Sequence, residues 1–249
     1  MTYAVSMPGG IGAKRIGILQ TDHAPSELIA EHGDYNDFFI HLLADEFLCF
    51  ETYAVVDGVF PKNVTNADGW LVTGAKYAVY ERQDWMGVLE RFIREIYDAR
   101  QPLIGVCFGH QIIAQALGGR VEKSEQGWTV GPVRYERRDL KTTQTMLAWH
   151  QDQVTVKPAV AELVGSSSDC ENAILRYGQT AMTYQGHPEI RPEYLRDLLR
   201  LQGQGLSETA RQNALGAVDA VLSASDVVLE MKGLFLGKQQ MKPSSIDEI

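Results

Sequence analysis

The sequence is poor in cysteine and has no closely spaced cysteine pair. Its three cysteines, Cys49, Cys107 and Cys170, are too few and too scattered for a disulfide framework. Without a C-x-x-C pair, a zinc site is not expected either. The sequence therefore predicts free, reduced thiols and no bound metal, as in a cytoplasmic protein.

Long apolar runs are also missing. No stretch of about 18 apolar residues occurs, so no membrane-spanning helix is predicted. Residues 1–14 lack the basic start and the apolar stretch of a signal peptide, and their glycines at positions 9, 10 and 12 are typical of a flexible leader. These absences favour a chain that acts away from membranes.

Positive charge is not in excess. The 23 lysines and arginines face 32 aspartates and glutamates, which gives a net charge of −9. An acidic surface argues against nucleic acid or an anionic membrane as the partner. The hydrophobic fraction of 45% is ordinary for a globular chain, so a buried core can form.

The order of predicted elements indicates an α/β fold. Up to about residue 120, short apolar runs alternate with amphipathic segments, which favours a parallel sheet with helices on both faces. The predicted strands here are 15–20, 48–56, 69–73 and 102–106. The predicted helices are 34–44, 85–98 capped by Asp84, and 111–117 ending at Gly118.

Beyond residue 120 the pattern changes to short β-type runs. Strands are predicted at 130–135, 145–149, 174–177 and 180–185, followed by helices at about 192–201 and 207–223. No internal repeat or linker interrupts the sequence. One domain over residues 15–237 is expected, with an added antiparallel section, after a leader of 14 residues and before a polar tail at 238–249.

One cysteine lies in a sequence context typical of a nucleophile. The segment from Gly105 to Gly109 has the form G-x-C-x-G, follows a buried-strand run and opens a helix. Such a turn projects the Cys107 thiol away from the sheet, and the helix N-terminus favours the thiolate. A buried core cysteine is the alternative interpretation. Cys49 and Cys170 lack this context.

A histidine and a glutamate flank a proline further along the chain. Pro188 favours an extended backbone at His187, and residues two apart in an extended segment point to the same side. Glu189 is therefore able to orient the imidazole and to support its protonated form. An ordinary surface loop is the alternative interpretation of this segment.

Together these segments resemble a known family. GVCFGHQIIAQALGG and QGHPEI are similar to the catalytic motifs of class I glutamine amidotransferases, in which a G-x-C-x-G-x-Q elbow precedes G-H-P-E by about 80 residues. Here His187 follows Cys107 by 80 residues, and residues 71–75 resemble the family strand that ends in S-G-G-P. The resemblance covers roughly residues 15–200. It implies a flavodoxin-like single domain, with a mostly parallel central sheet, flanking helices and a small antiparallel section.

The resemblance also implies a set of site residues. Cys107, His187 and Glu189 would form a catalytic triad that hydrolyses a γ-glutamyl amide through a glutamyl thioester, without a cofactor. The backbone N–H groups of Ala75 and Phe108 match the oxyanion-hole positions of the family. The residues predicted to bind substrate are Gly74, Gln111 and Trp149.

Two departures from the family pattern argue against free glutamine as the substrate. The S-G-G-P loop is here Thr73-Gly74-Ala75-Lys76, and a segment of the S-H-G-D type begins with the bulky Trp149. Ala75 retains a usable backbone donor only if its φ is negative. Trp149 either reshapes the substrate pocket or simply packs, and Gln111 is either a substrate ligand or a polar helix N-terminus.

Four functions fit the resemblance. The sequence is similar to stand-alone members of the GMP-synthase-like or γ-glutamyl-peptidase-like type, which implies a hydrolase with a small-molecule γ-glutamyl substrate. A glutaminase subunit that donates ammonia to a separate synthetase is the second candidate. A non-catalytic binding protein and the protease/chaperone branch of the superfamily are less consistent with an intact triad and with the G-H-P-E motif. No ATP-binding glycine-rich loop is present.

Overall fold

A nine-stranded sheet organises the chain in the computed structural model, which describes residues 12–218, 222 and 224–237. The tail at 238–249 and most of the leader lie outside the described residues. Within them, the strands are β1 Lys14–Gln20, β2 Leu48–Ala54, β3 Gly69–Val72, β4 Leu103–Val106, β5 Arg120–Lys123, β6 Thr129–Arg137, β7 Thr142–His150, β8 Asp152–Val156, β9 Ala161–Ser166, β10 Ile174–Tyr177 and β11 Ala181–Tyr184. The helices are α1 Ser26–His32, α2 Tyr35–Leu42, α3 Asp84–Asp98, α4 Phe108–Ala116, α5 Pro192–Gln202, α6 Glu208–Ala217 and α7 Ala224–Leu236.

The sheet is mixed, with its parallel and antiparallel strands in separate halves. Its strand order is β2-β1-β3-β4-β11-β10-β9-β6-β7, and the first five strands are parallel to one another. The remaining four add on in antiparallel fashion, while β5 and β8 form a separate pair. The predicted single-domain α/β fold is confirmed, and its antiparallel section is larger than expected because β6, β7, β9 and β10 extend the main sheet.

Helices cover both faces of this sheet. Along β3, Trp70 and Val72 belong to one apolar cluster and Leu71 to the other, as expected for side chains that alternate across a strand. The first cluster includes α3 and α4, and the second includes α2 and α7. No helix in the described part of the chain is long and apolar enough to cross a bilayer.

Strongly periodic elements were predicted most accurately. Helix α3 buries Met86, Leu89, Phe92, Ile93 and Ile96 at helical spacing. The prediction that Asp84 caps this helix is wrong, because α3 begins at Asp84 itself and the preceding Gln83 makes no side-chain capping bond.

Other predicted boundaries moved by a few residues. Helix α4 begins at Phe108, three residues before its predicted start, because it leaves the Cys107 turn directly. Strand β1 begins at Lys14, which the sequence had assigned to the leader. Helix α6 ends at Ala217, and position 223, the predicted end, lies outside the described residues. Elements without a sequence prediction are α1, α7, β5, β8 and β9.

A buried ion-pair network attaches α7 to the sheet. The Arg137 side chain is completely buried and donates to both carboxylate oxygens of Glu230 at 2.8 Å. It also donates twice to Asp139 at 2.9 Å, and the hydroxyl of Tyr184 donates to Glu230 at 2.7 Å. Because Tyr184 ends β11, the network joins α7 to the strand that leads to His187.

We expect Glu230→Ala to lower the free energy of unfolding by about 3 kcal/mol, because the variant leaves a buried guanidinium with only part of its compensating charge. Denaturant unfolding measures this change. Leu229→Ala is the matched control on the same helix, since Leu229 is 59% exposed and should change stability by less than about 0.5 kcal/mol. Equal effects of the two substitutions would show that the network does not hold α7.

Candidate active site

Three neighbouring parallel strands deliver the predicted site residues to one edge of the sheet. Strand β4 lies between β3 and β11, with Val72 in register with Gly105 and Tyr184 with Val106. The carboxyl ends of parallel strands meet at the same edge, where α/β folds form their ligand sites. The chain leaving β4 carries Cys107, the chain leaving β3 carries residues 73–76, and the chain leaving β11 carries His187 and Glu189.

Cys107 adopts a strained backbone conformation at the turn between β4 and α4. Its φ of 53° and ψ of −106° lie in a region where residues other than glycine are rarely found. Two hydrogen bonds hold the turn: the Cys107 N–H donates to the carbonyl of Tyr184 at 2.8 Å, and the Gly109 N–H donates to that of Thr73 at 3.0 Å. Such strain is typical of a nucleophile elbow.

The two glycines of the G-x-C-x-G segment allow close packing. A Cβ atom at Gly109 would lie 2.2 Å from the carbonyl oxygen of Val72, and one at Gly105 would lie 2.6 Å from that of Gly109. Neither glycine has a positive φ, which falls on Cys107 instead. The glycines therefore permit the approach of α4 to β3 and β4, and this approach fixes the elbow.

His187 and Glu189 form a buried hydrogen-bonded pair. Nδ1 of His187 and Oε1 of Glu189 are 2.7 Å apart, and both side chains are less than one-tenth exposed. The backbone N–H of His187 also donates to the carbonyl of Leu147 at 2.7 Å, which fixes the extended segment against β7. The i, i+2 geometry around Pro188 is therefore present, with Nε2 of His187 on the far side of the ring from Glu189.

Two neighbouring groups raise the pKa of His187. Burial lowers the pKa of its imidazole, but the Glu189 carboxylate and the Cys107 sulfur outweigh burial and raise that pKa to about 10. Nε2 is buried and has no hydrogen-bond partner among the described residues. The ring can therefore hold a proton and present it to a group that arrives beside Cys107.

The surroundings of Gly74 show that Cys107 and His187 lie side by side. A Cβ atom at this glycine would lie 3.2 Å from Cε1 of His187 and 3.6 Å from Cβ of Cys107. The loop after β3 therefore lies next to both residues. A side chain at position 74 would press directly against the imidazole, which explains the glycine without a need for positive φ.

The two predicted oxyanion donors lie beside this cluster. Phe108 is the first residue of α4, so its N–H has no partner in a preceding helical turn. Ala75 is not among the described residues with positive φ, so its side chain is compatible with the loop, and its N–H makes no hydrogen bond with the described residues. Whether these groups bind an oxyanion remains a prediction.

Gln111 is more strongly tied to the protein than the sequence suggested. It is buried, and its Nε2 donates to the carbonyl of Asp152 at 2.8 Å and to Oε1 of Gln185 at 3.1 Å. Only its carbonyl oxygen remains for a substrate. Its assignment as a substrate ligand is therefore still a prediction.

The backbone carbonyl of Trp149 lies near Cys107. Its carbonyl oxygen is 4.0 Å from Sγ of Cys107, and its half-buried indole packs against Trp128 with ring centroids 6.0 Å apart. The side chain therefore does pack, as one of the two predicted alternatives requires. Trp128, which is 41% exposed, was not singled out from the sequence.

Two further histidines near the triad stay neutral. Burial, followed by the charge of His187, lowers the pKa of His150 to about 4. Burial lowers the pKa of His110 to about 3, and Nδ1 of His110 is 2.7 Å from the hydroxyl of Thr183. Of these three buried histidines, His187 is the one whose pKa is raised. His150 lies in the W-H-Q-D segment, but nothing in the sequence distinguished it.

The remaining cysteines and one polar cluster lie apart from this chemistry. Cys49 and Cys170 are free, and burial raises the pKa of the Cys170 thiol to about 12, so it is an inert thiol at neutral pH. Among the described residues, Glu31, His32 and Asp197 bring three potential metal ligands within 4.8 Å. Asp197 already has partners in His32 and in the guanidinium of Arg200, so a hydrogen bond between α1 and α5 accounts for the cluster.

Known proteins resemble this chain in sequence and in fold. The family model for "Glutamine amidotransferase class-I" matches residues 32–200. Gamma-glutamyl peptidase 4 of Arabidopsis thaliana is 30% identical over 182 residues, which cover 68% of this chain and 72% of that protein. A glutamine-hydrolysing GMP synthase subunit of Sulfolobus acidocaldarius is 27% identical over 166 residues, 64% of this chain and 86% of that one.

A solved structure also matches almost end to end. The crystal structure of a glutamine amido transferase from Methylobacillus flagellatus aligns with a TM-score of 0.72 and covers 96% of this chain and 99% of that one. The sequence identity is 18%, so this likeness bears on the fold alone.

We expect Glu189→Gln to lower the pKa of His187 from its value of about 10, because the amide removes the carboxylate charge that stabilises the imidazolium. In the wild type the raised pKa stabilises the folded state fully below pH 6.5, and this contribution is lost between pH 6.5 and about 10; in the variant the contribution is smaller and its loss is complete at a lower pH. NMR titration of the labelled imidazole measures the shift.

The same substitution should reduce turnover by about 10²-fold to 10⁴-fold while the fold persists, because only orientation and charge support are lost. His187→Ala, which removes the base, should reduce turnover at least as much. An unchanged His187 titration together with wild-type turnover in Glu189→Gln would show that Glu189 does not support the imidazolium.

Proposed function

The chain belongs to the class I glutamine amidotransferase family, and from that premise we propose that it hydrolyses a γ-glutamyl amide through a thioester on Cys107. In this proposal His187 transfers the protons, and Glu189 orients the imidazole and stabilises its protonated form. The observation that carries this proposal is that a strained Cys107 and a buried His187, whose pKa is raised, lie next to each other beside Gly74. Strain and a buried charge of this kind are costly for folding and are concentrated at functional sites.

The proposed reaction has two steps, the formation of the thioester and its hydrolysis. The Cys107 thiolate attacks the γ-carbonyl carbon, and the carbonyl electron pair moves onto the oxygen. As the tetrahedral intermediate collapses, the C–N bond breaks and His187 gives its proton to the departing nitrogen, so that ammonia or an amine leaves. Water then attacks the thioester, His187 takes a proton from that water, and glutamate leaves as the thiolate is restored.

The peptide N–H groups of Phe108 and Ala75 are suited to stabilise the oxyanion of both steps. Phe108 directly follows the nucleophile at the start of α4, and Ala75 directly follows the glycine that touches Cys107 and His187. Donors that are already fixed in place act where the charge develops, and each is worth about 3 kcal/mol in comparable enzymes. Neither N–H makes another hydrogen bond with the described residues.

The proposed substrate class is a γ-glutamyl peptide or conjugate in preference to free glutamine. Its support is the altered loop at residues 73–76, the backbone of Trp149 near the thiol, and the plant relative whose name is gamma-glutamyl peptidase. The relative named for its part in a GMP synthase favours the second candidate, a glutaminase that supplies ammonia to a separate synthetase. The presence of Cys107, His187 and Glu189 together argues against a purely binding role.

We also propose reduced thiols, a cytoplasmic setting and one catalytic domain over residues 15–237. The three free cysteines and the continuity of the main sheet from β1 to β11 support this assignment. No metal or other cofactor has a role in the proposed reaction, because the triad supplies both the nucleophile and the proton transfer.

The purified chain should release glutamate from at least one γ-glutamyl amide in the absence of ATP and of a partner protein. The measurement compares the kcat/KM of glutamine with that of a γ-glutamyl dipeptide and of a γ-glutamyl aryl amide. We expect the dipeptide to be the better substrate than glutamine.

Cys107→Ser should lower turnover by at least about 10⁴-fold, because the chemistry loses its nucleophile. Cys49→Ser is the matched control and should keep wild-type activity. Substantial turnover in Cys107→Ser would overturn the triad. Glutamate release from glutamine that begins only when a synthetase is added would support the ammonia-donor function instead.

A further inference from the structure

A buried carboxylate lies behind the loop that contains Ala75. Asp22, in the turn after β1, is only 3% exposed, and its Oδ2 accepts the backbone N–H of Lys76 at 2.9 Å. Its Oδ1 accepts the backbone N–H of His23 at 2.9 Å and the ammonium of Lys76 at 3.1 Å. The proposed reaction gives Asp22 no direct role, yet its main partner is the peptide next to the proposed oxyanion donor.

The opposite side of the same loop is held by a threonine. The hydroxyl of Thr21 lies 3.0 Å from the carbonyl oxygen of Thr73 and 2.9 Å from that of Gly74. The carbonyl of Gly74 and the N–H of Ala75 belong to one planar trans peptide unit, so they point in opposite directions. A Gly74 carbonyl held toward Thr21 therefore directs the Ala75 N–H away from Thr21.

The peptide that follows Ala75 is fixed by Asp22. Because the bond to Oδ2 holds the N–H of Lys76, the peptide units on both sides of the Ala75 α-carbon have a defined orientation. Oxyanion donors act through such prior orientation, since it removes the need to reorganise when the charge develops.

The identity of residue 76 gives the carboxylate a backbone N–H to bind. The S-G-G-P pattern that the loop resembles has proline at this position, and proline fixes φ but has no N–H. Lys76 leaves φ free and supplies the N–H that Asp22 accepts. Its side chain is 68% exposed, so the backbone bond, more than the ammonium, is the internal contact.

We propose that Asp22 is a positioning residue, which holds the Ala75 N–H in its oxyanion-binding orientation through the backbone N–H of Lys76. This inference rests on the proposed function, because it assumes that an oxyanion forms beside Cys107. Asp22 itself does not touch the substrate. Its removal should therefore weaken transition-state binding and leave ground-state binding nearly unchanged.

The experiment compares Asp22→Ala and Asp22→Asn with the wild type by steady-state kinetics on the best γ-glutamyl substrate. Loss of a complete oxyanion donor lowers kcat by about 10²-fold to 10³-fold in comparable enzymes. A donor that is present but loosely held should lower kcat by about 10-fold to 100-fold in Asp22→Ala, with KM within about threefold of the wild type. The kcat of Asp22→Asn should lie between those of the wild type and Asp22→Ala. Its amide nitrogen is a donor, so it cannot accept one of the N–H groups that the carboxylate of Asp22 accepts.

A second readout separates positioning from general destabilisation. The aldehyde analogue of the γ-glutamyl group forms a tetrahedral adduct with a cysteine and so uses the same oxyanion site. Its inhibition constant should rise in Asp22→Ala by the same factor by which kcat falls. Alkylation of Cys107 by iodoacetamide, which forms no oxyanion, should keep its wild-type rate.

Matched controls are available in the loop and elsewhere in the fold. Lys76→Met removes the ammonium and keeps the backbone N–H, so a fall in kcat as large as that of Asp22→Ala would assign the effect to the ammonium and overturn the role of the backbone N–H. Asp139→Asn weakens another part-buried carboxylate network, at Arg137, and should lower stability without a change in kcat.

The outcomes distinguish this inference from the function on which it rests. A wild-type chain that releases no glutamate from any γ-glutamyl compound overturns the proposed function and this inference with it. An active wild type whose Asp22→Ala variant keeps its kcat, changes only KM, or binds the aldehyde normally overturns this inference alone.

Discussion

The parallel pairing of β3, β4 and β11 is the constraint on which the candidate site depends. Neighbouring parallel strands end at the same edge of a sheet. The register of Val72 with Gly105 and of Tyr184 with Val106 therefore brings the segments that follow β3, β4 and β11 close together. The hydrogen bond from the Cys107 N–H to Tyr184 and that from the Gly109 N–H to Thr73 connect the middle exit to both neighbours. Cys107, His187 and the loop at residues 73–76 thus lie together because they follow neighbouring strands.

The second determinant of the site is a buried charge that the fold supports at a cost. An imidazolium away from water is unfavourable unless a partner is close, and the Glu189 carboxylate at 2.7 Å supplies that partner. A hydrophobic pair would fill the same space with less desolvation. The strained φ of Cys107 is a similar local cost, and the close approach of α4 at Gly109 holds it in place. Both costs fall on residues of the proposed reaction.

The sequence predicted well those features whose signal is local. Helix α3 has a regular apolar stripe, and the elbow and the G-H-P-E segment are short motifs whose residues act close to where they stand in the chain. Helix α7 was missed although Val227 and Met231, one turn apart, are buried, because its apolar residues continue around the helix and obscure the amphipathic pattern. Strands β5 and β8 were missed because few of their side chains are buried and they lack a clear alternation.

The residues that the sequence did not reveal are those whose partners are distant in the chain. Asp22 meets Lys76 across 54 positions, and nothing near it in sequence identifies the contact. Gln111 was recognised by its motif, but its bond to the carbonyl of Asp152 spans 41 positions and binds it into the interior. In each case, pairing between strands creates the environment, and the local sequence alone does not define it.

The central claim is that Cys107 carries a γ-glutamyl thioester during turnover. Rapid acid quench of the working enzyme, followed by peptide mass spectrometry, tests it directly. The account predicts a γ-glutamyl adduct on the peptide that contains Cys107, formed within one turnover and discharged when substrate is exhausted. An adduct on Cys49 or Cys170, or steady turnover at saturating substrate with no covalent adduct even in a deacylation-impaired variant, would contradict it.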